Sequence, residues 1–160
     1  MNKKAFFALS TVIFTTQLGM NIISPLMAVY ARTMGANALW LGIMVSGMAF
    51  SYIIFAPFSG WLSDRFSRKL LMIVGLTAYT LFSIGYALST NVYMLTGVRL
   101  LHGAASALVG PVAQAYVGNI SPKGKEGTFI NIFMMFMYLG MAVGPLMGGA
   151  LYDQFGMNYA

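Results

Sequence analysis

Charged residues divide this sequence into long uncharged stretches, and their spacing limits what the chain can fold into. Five stretches of 23 to 31 residues contain no Asp, Glu, Lys or Arg. A helix needs about 20 apolar residues to cross the hydrocarbon core of a bilayer. The spacing therefore predicts five membrane-spanning helices, near residues 6–30, 38–61, 70–88, 93–118 and 128–150.

The composition agrees with an integral membrane protein. Only 8% of the residues are charged and 59% are hydrophobic, whereas a soluble domain has about 25% charged residues. A closed β-barrel also satisfies its backbone in lipid, but its strands alternate apolar and polar residues. Runs such as FSYIIFAPF at 50–58 do not alternate. We therefore expect an all-α integral membrane fold, a helix bundle surrounded by the lipid bilayer.

The basic residues predict how the chain is oriented. With a cytoplasmic N-terminus, seven Lys and Arg residues lie on the cytoplasmic side and only Arg32 lies outside, as the positive-inside rule requires. The net charge of +6 then reflects topology and does not indicate nucleic-acid binding. The first apolar stretch exceeds the 7–15 residues of a signal peptide, so we interpret it as a span, with cleavage as the alternative. The expected location is the cell (inner or plasma) membrane, and the cytoplasmic residues are Lys3, Lys4, Arg65, Arg68, Lys69, Lys123 and Lys125.

Side chains that perform catalysis or bind metals are scarce in this sequence. Three acids, one histidine and no cysteine provide no metal-ligand cluster, no acid–base pair inside the membrane and no nucleotide-binding loop. We therefore expect neither an enzyme nor a bound cofactor or metal.

A short repeat links the ends of two predicted spans. GWLSDRFS at 60–67 and GALYDQFG at 149–156 share G-x-L-x-D-x-F at an offset of 89 residues. Three spans separate the copies, so the copies lie on opposite faces of the membrane. Inverted repeats of this kind are typical of secondary transporters.

Four charges follow the second predicted span, at Asp64, Arg65, Arg68 and Lys69. The simplest interpretation is a solvated cytoplasmic turn that fixes topology. Gly60, however, would permit close helix approach, and Asp64 is expected near the start of the third helix, where it could act as a cap.

With these residues, the stretch resembles G-x-L-x-D-R-x-G-R-[RK], the loop signature of the major facilitator superfamily. Ser67 departs from the pattern, standing where the family usually has glycine. In that family the cluster locks the two halves of the transporter together on the cytoplasmic side, so the resemblance implies a conformational gate.

Arg99 lies about six residues into the fourth predicted span, with His102 three residues further on. A buried arginine is costly and usually faces a cavity or a partner, although its side chain could instead snorkel to the interface. With Gly103, the stretch resembles the fourth-span motif R-x-x-x-G of the same family, which is linked to proton coupling. His102 could carry a proton or remain neutral and donate or accept a hydrogen bond beside Arg99.

Polar residues in two spans could line a solute path. Gln17, Asn21 and Ser24 lie on one face of the first span, and Gln114 lies in the fourth. Hydrogen bonding between helices is the alternative. Pro25 completes an L-G-x-x-x-x-x-P pattern that resembles the first span of drug–proton antiporters, with Ala28 where their second proline stands.

Glycines recur every four residues in the fifth predicted span, at Gly140, Gly144 and Gly148, where they form a smooth stripe that another helix can approach closely. Pro145 bends this helix. Together with Gly149, they match G-x-x-x-G-P-x-x-G-G, which resembles the antiporter motif of drug–proton exchangers. The resemblance implies a tight seam between two transporter halves, with its partner helix outside this chain; ordinary small-residue packing is the alternative.

The resemblance to the superfamily implies a transporter of twelve spans in two six-helix halves. The five predicted spans correspond to a partial N-terminal half with inverted three-helix repeats, so we interpret the chain as a fragment whose partner is a missing C-terminal half. The implied function is secondary active efflux of small drug-like or metabolite solutes, coupled to protons, by alternating access. Uptake or exchange of a sugar or other small metabolite, and a truncated membrane protein that transports nothing, are the alternatives.

Overall fold

A computed structural model describes residues 3–155 of the chain, and helices account for nearly all of them. No strand occurs within these residues. Five helical segments are long and apolar enough to cross a membrane. The expected all-α membrane fold is therefore confirmed. The helices are α1 (Lys3–Thr33), α2 (Ala38–Arg65), α3 (Arg68–Ala87), α4 (Val92–Ala107), α5 (Gly110–Ile120) and α6 (Glu126–Phe155).

The fourth membrane segment consists of two helices. α4 ends at Ala107 and α5 begins at Gly110, although Val92–Ile120 together form one membrane-length segment. Pro111 has no N–H to donate to the carbonyl four residues before it. Leu108 and Val109 donate to the carbonyls three residues before them, those of Ala105 and Ser106. The single segment expected at 93–118 is therefore interrupted at Leu108 and Val109.

The charged turn is shorter than the sequence suggested. Asp64 lies in the last turn of α2, and only Phe66 and Ser67 separate α2 from α3. Asp64 lies four residues before α3 begins but not at its N-cap position, so the expectation that it could cap the third helix is wrong. Ser67 occupies the N-cap position of α3, and its side chain makes no capping hydrogen bond.

Asparagine side chains begin two of the helices. Asn37 accepts a hydrogen bond from the Trp40 amide at 3.0 Å, and Asn91 accepts one from the Met94 amide at 2.8 Å. Such caps satisfy amide groups that have no partner within the helix. Gly35, in the turn before α2, has a φ of 85°, which favours glycine.

The chain forms two compact units. The α2–α4 unit is Ala31–Ala113, in which α4 packs against both α2 and α3. Its buried core includes Met44, Leu71 and Leu95. Large apolar side chains on the outer faces of these helices, such as Phe58, are exposed, as expected for helices that face lipid.

The second unit, the α1–α6 unit, comprises the described parts of Met1–Tyr30 and Gln114–Ala160. Phe6 meets Phe129 edge-on, with ring centroids 5.4 Å apart. Ile13, Val117 and Phe133 are almost completely buried. Aromatic and branched side chains thus fill the space between the helices of this unit.

Candidate functional site

Arg99 is buried in the α2–α4 unit, with 7% of its surface exposed. Its Nε donates a hydrogen bond to the backbone carbonyl of Met44 in α2, at 3.2 Å. Asp64 is the sole acid of residues 31–113, and it lies roughly 30 Å further along α2 at about 1.5 Å per residue. The buried guanidinium therefore donates to a backbone oxygen and not to a carboxylate of this unit. The side chain does not snorkel to the outer interface.

One turn further along α4, Gly103 brings the same two helices into backbone contact. A Cβ at this position would strike the Met48 carbonyl oxygen and would lie 3.1 Å from the Cβ of Ser51. The Ser51 hydroxyl also donates to the Leu100 carbonyl at 2.7 Å. α4 is thus fixed to α2 at Met44 and Met48, whose carbonyls lie one helical turn apart.

His102 is enclosed, with 1% of its surface exposed, and it faces α3. Its Nδ1 lies 2.8 Å from the hydroxyl of Tyr86, and its ring meets Tyr79 edge-on with centroids 3.9 Å apart. Nε2 has no hydrogen-bond partner among residues 3–155. A tyrosine of α3 is therefore the hydrogen-bond partner of His102.

Sequence reasoning did not identify the two tyrosines as parts of this site. Tyr79 and Tyr86 are seven residues apart, or about two helical turns, so they share one face of α3. That spacing, in an apolar span opposite Arg99 and His102, is the signal that could have revealed them. The Met44 carbonyl carries no such signal, because every residue has one.

The glycine stripe of α6 packs directly on α1 within the α1–α6 unit. A Cβ at Gly140 would lie 2.6 Å from the Phe14 carbonyl oxygen, and one at Gly144 would lie 2.5 Å from the Cβ of Asn21. A Cβ at Gly148 would strike the carbonyl oxygen of Ile22. The expectation that the partner helix lies outside this chain is therefore wrong for these three glycines.

The remaining residues of that motif face elsewhere. No atom of the described chain lies within 4 Å of a Cβ built at Gly149, and Pro145 is exposed. The side of α6 that carries them is therefore open in this structure. These two residues do not contribute to the seam between α1 and α6.

Two residues of the polar stripe of α1 lie at this seam. The Cβ of Gln17 is 3.1 Å from a Cβ built at Gly140, and Asn21 meets Gly144. The Asn21 amide donates to the Gln17 carbonyl at 2.8 Å. Both residues are half-buried, as is Gln114 in α5, whereas Ser24 is exposed. Their role in a solute path stays a prediction.

The sequence model of the Major Facilitator Superfamily matches residues 9–160. The chain belongs to this superfamily. Its Arg-x-x-x-Gly segment in α4 and its glycine stripe in α6 both lie within the matched residues.

Three curated relatives align with nearly the whole chain. An uncharacterized MFS-type transporter of Methanocaldococcus jannaschii is 34% identical over 156 residues, 98% of this chain and 40% of the relative. Multidrug resistance protein 2 of Bacillus subtilis is 31% identical over 147 residues, 92% of this chain and 37% of the relative. Quinolone resistance protein NorA of Staphylococcus aureus is 29% identical over 149 residues, 93% of this chain and 38% of the relative. The chain therefore spans about two fifths of the length of these relatives.

The charged cluster of this superfamily member lies at the junction of α2 and α3. Asp64, Arg65 and Lys69 are exposed, and Arg68 is half-buried. The Arg65 guanidinium lies over the Trp61 ring, 4.1 Å from its centroid. No described atom lies within 4 Å of a Cβ built at Gly60. A close helix approach at Gly60 therefore stays a prediction.

Both copies of the short repeat end a membrane helix. Gly60 to Arg65 form the end of α2, and Gly149 to Phe155 form the end of α6. Gly156, the last residue of the second copy, lies outside the described residues. The inverted arrangement of the two copies stays a prediction.

Proposed function

We propose that this chain forms the N-terminal part of a secondary transporter that exports small drug-like solutes in exchange for protons. The observation that carries the proposal is the α6 motif G-x-x-x-G-P-x-x-G-G, whose first three glycines pack on α1 beside Gln17 and Asn21. Alternating access requires helices that remain tightly sealed while the two halves move. A glycine seam provides such a seal without bulky side chains.

The names of two relatives favour drug-like solutes. Relatives named for multidrug resistance and for quinolone resistance share 31% and 29% identity with nearly the whole chain. In the proposed transporter, Gln17, Asn21, Ser24 and Gln114 are candidates for the wall of the solute path. Asp64, Arg65 and Arg68 close the cytoplasmic side when the path opens outward.

Proton coupling needs a group that gains and loses a proton on the solute path. The three acids of this chain, Asp64, Glu126 and Asp153, lie at the ends of helices. We therefore assign the proton-carrying carboxylate to the part of the transporter outside these 160 residues. That part supplies the second six-helix half, and the five spans here belong to the first half, with a cytoplasmic N-terminus in the plasma membrane.

Reconstitution of the full-length protein that carries this chain tests the proposal. Proteoliposomes with an imposed pH gradient are given a quinolone, the solute class in the name of the staphylococcal relative. We expect quinolone movement that depends on the pH gradient and stops when a protonophore collapses the gradient. Protons should move across the membrane in the direction opposite to the quinolone. Movement of a sugar or another metabolite in place of the quinolone, or no movement of any solute, contradicts the proposal.

A further inference from the structure

We propose that four exposed lysines at one end of the α1–α6 unit form a surface that binds the headgroups of anionic phospholipids. Two of these lysines begin α1, and the other two lie in the turn before α6. Solute transport as proposed above does not require this surface. The lysine patch consists of Lys3, Lys4, Lys123 and Lys125.

The two pairs of lysines come together because α1 and α6 pack side by side at this end. Phe6 in the first turn of α1 meets Phe129 in the first turn of α6 edge-on, with ring centroids 5.4 Å apart. Phe6 follows Lys4 by two residues, and Phe129 follows Lys125 by four. Gly124, with a φ of 78°, turns the chain tightly into α6. The amino ends of the two helices and their lysines therefore lie next to each other.

Most of the positive charge of the lysine patch is not balanced within its unit. Glu126 is the sole acid at this end of the described unit, so it can neutralise one lysine at most. Asp153 lies 27 residues further along α6, roughly 40 Å away at about 1.5 Å per residue. Three positive charges therefore remain for an anionic partner.

The position of the lysine patch favours a lipid headgroup over a protein partner. Its lysines lie within a turn of the start of two helices that are long and apolar enough to cross a membrane. Lysine stems can follow apolar surface while the ammonium groups stay at the polar interface. Phe7 is 63% exposed and lies one turn along α1 from Lys3, where it can meet acyl chains. In the proposed topology this surface faces the cytoplasmic leaflet.

A fluorophore beside the lysine patch can report which lipid gathers there. Thr128 is exposed and follows Lys125 by three residues. The full-length protein that carries this chain, with its native cysteines replaced, is labelled at Thr128→Cys and reconstituted into phosphatidylcholine vesicles. Quenching by nitroxide-labelled phosphatidylglycerol is compared with quenching by nitroxide-labelled phosphatidylcholine.

We expect half-quenching at a phosphatidylglycerol content about tenfold or more below that needed for phosphatidylcholine, because each lysine near a membrane surface raises affinity about fivefold. This preference should disappear at about 1 M salt, where the Debye length falls to about 3 Å. A label at Thr90→Cys, in the turn between α3 and α4, is the control position and should show little preference. Equal quenching by the two lipids at Thr128→Cys overturns the proposal.

Charge variants show whether the four lysines act as one surface. Lys3→Gln/Lys4→Gln and Lys123→Gln/Lys125→Gln should each lower the preference by about fivefold per lysine, whereas arginine at the same four positions should retain it. Glu126→Gln should raise it. A preference that survives either glutamine pair overturns the proposal of a single surface.

Other occupants of the lysine patch give different results. Displacement of the labelled lipid by inorganic phosphate at constant ionic strength would assign the surface to a soluble anion. An acidic segment elsewhere in the transporter would leave no preference in the parent protein, and either result overturns the proposal. Melting midpoints in detergent check that the variants fold, and if a glutamine pair does not fold, the arginine variant and the salt dependence of the parent still decide. Quenching requires no transport, so failure of the proposed function leaves this test intact.

Discussion

A Cβ added at Gly144 in α6 would lie only 2.5 Å from the Cβ of Asn21 in α1. Non-bonded carbon atoms prefer separations of about 3.5–4.0 Å, so the two helices approach as closely as their backbones allow. The same approach recurs one turn away on each side, at Gly140 and Gly148. The polar stripe of α1 and the glycine stripe of α6 thus form one seam within a single unit.

Gly144→Ala should destabilise this seam. Its methyl group would overlap Asn21, and overpacking typically costs about 1–3 kcal/mol. Gly149→Ala is the matched control in the same helix, because no described atom lies within 4 Å of its added Cβ and alanine favours a helix over glycine by about 1 kcal/mol. Melting of the detergent-purified proteins should show a lower midpoint for Gly144→Ala alone. Equal midpoints would contradict the packing derived for Gly144.

A larger side chain at the seam should block transport. Gly144→Leu or Gly148→Leu forces α6 away from α1, so we expect coupled export to be lost while membrane insertion persists. Export is measured in cells beside the amount of protein in the membrane fraction. Normal export by either variant would reduce the glycine stripe to ordinary helix packing.

The number of membrane helices could be predicted because burying a charge in lipid costs free energy in any segment, whichever helices pack around it. An uncharged run longer than about 20 residues has few stable alternatives in a bilayer. The break at Leu108 and Val109 was less apparent, because Pro111 can either kink or interrupt a helix. Asp64 was expected in the turn after α2, because runs of charged residues are typical of loops. It lies instead in the last turn of α2, which can also carry charges.

Which helices pack together depends on long-range contacts that a single sequence does not specify. The every-fourth-residue spacing of Gly140, Gly144 and Gly148 predicted a smooth face but not its occupant, which is α1. Arg99 and His102 were recognised as polar residues in an apolar span. Their partners, Tyr86 and the Met44 carbonyl, depend on how α2 and α3 pack around α4.

Gly103→Ala should separate α4 from α2. The added methyl group would strike the Met48 carbonyl, which is backbone and cannot rotate away. Gly97→Ala is the control in the same helix, because no described atom lies within 4 Å of its added Cβ. We expect Gly103→Ala to lower the melting midpoint and to reduce export, whereas Gly97→Ala should match the parent protein. A melting midpoint for Gly103→Ala at or above that of Gly97→Ala would refute the close contact.

His102→Gln should leave proton-driven export close to that of the parent protein. The glutamine amide is neutral and can still form a hydrogen bond with the Tyr86 hydroxyl, as His102 does. Arg99→Gln removes the permanent charge and should abolish export. Quinolone movement and proton release are measured together in proteoliposomes. If His102→Gln moves quinolone without releasing protons, His102 is itself the proton carrier.

Cysteine labelling can test the predicted orientation, because these 160 residues contain no cysteine. Thr90, between α3 and α4, and Lys123, between α5 and α6, are both exposed positions outside the helices. The basic residues place Lys123 in the cytoplasm and Thr90 outside. A membrane-impermeant maleimide added to intact cells should therefore label Thr90→Cys and should reach Lys123→Cys only after permeabilisation. The parent protein is the control for label that reaches cysteines outside these 160 residues. Labelling of Lys123→Cys but not Thr90→Cys in intact cells would contradict the proposed topology and place the Asp64 cluster on the outer face.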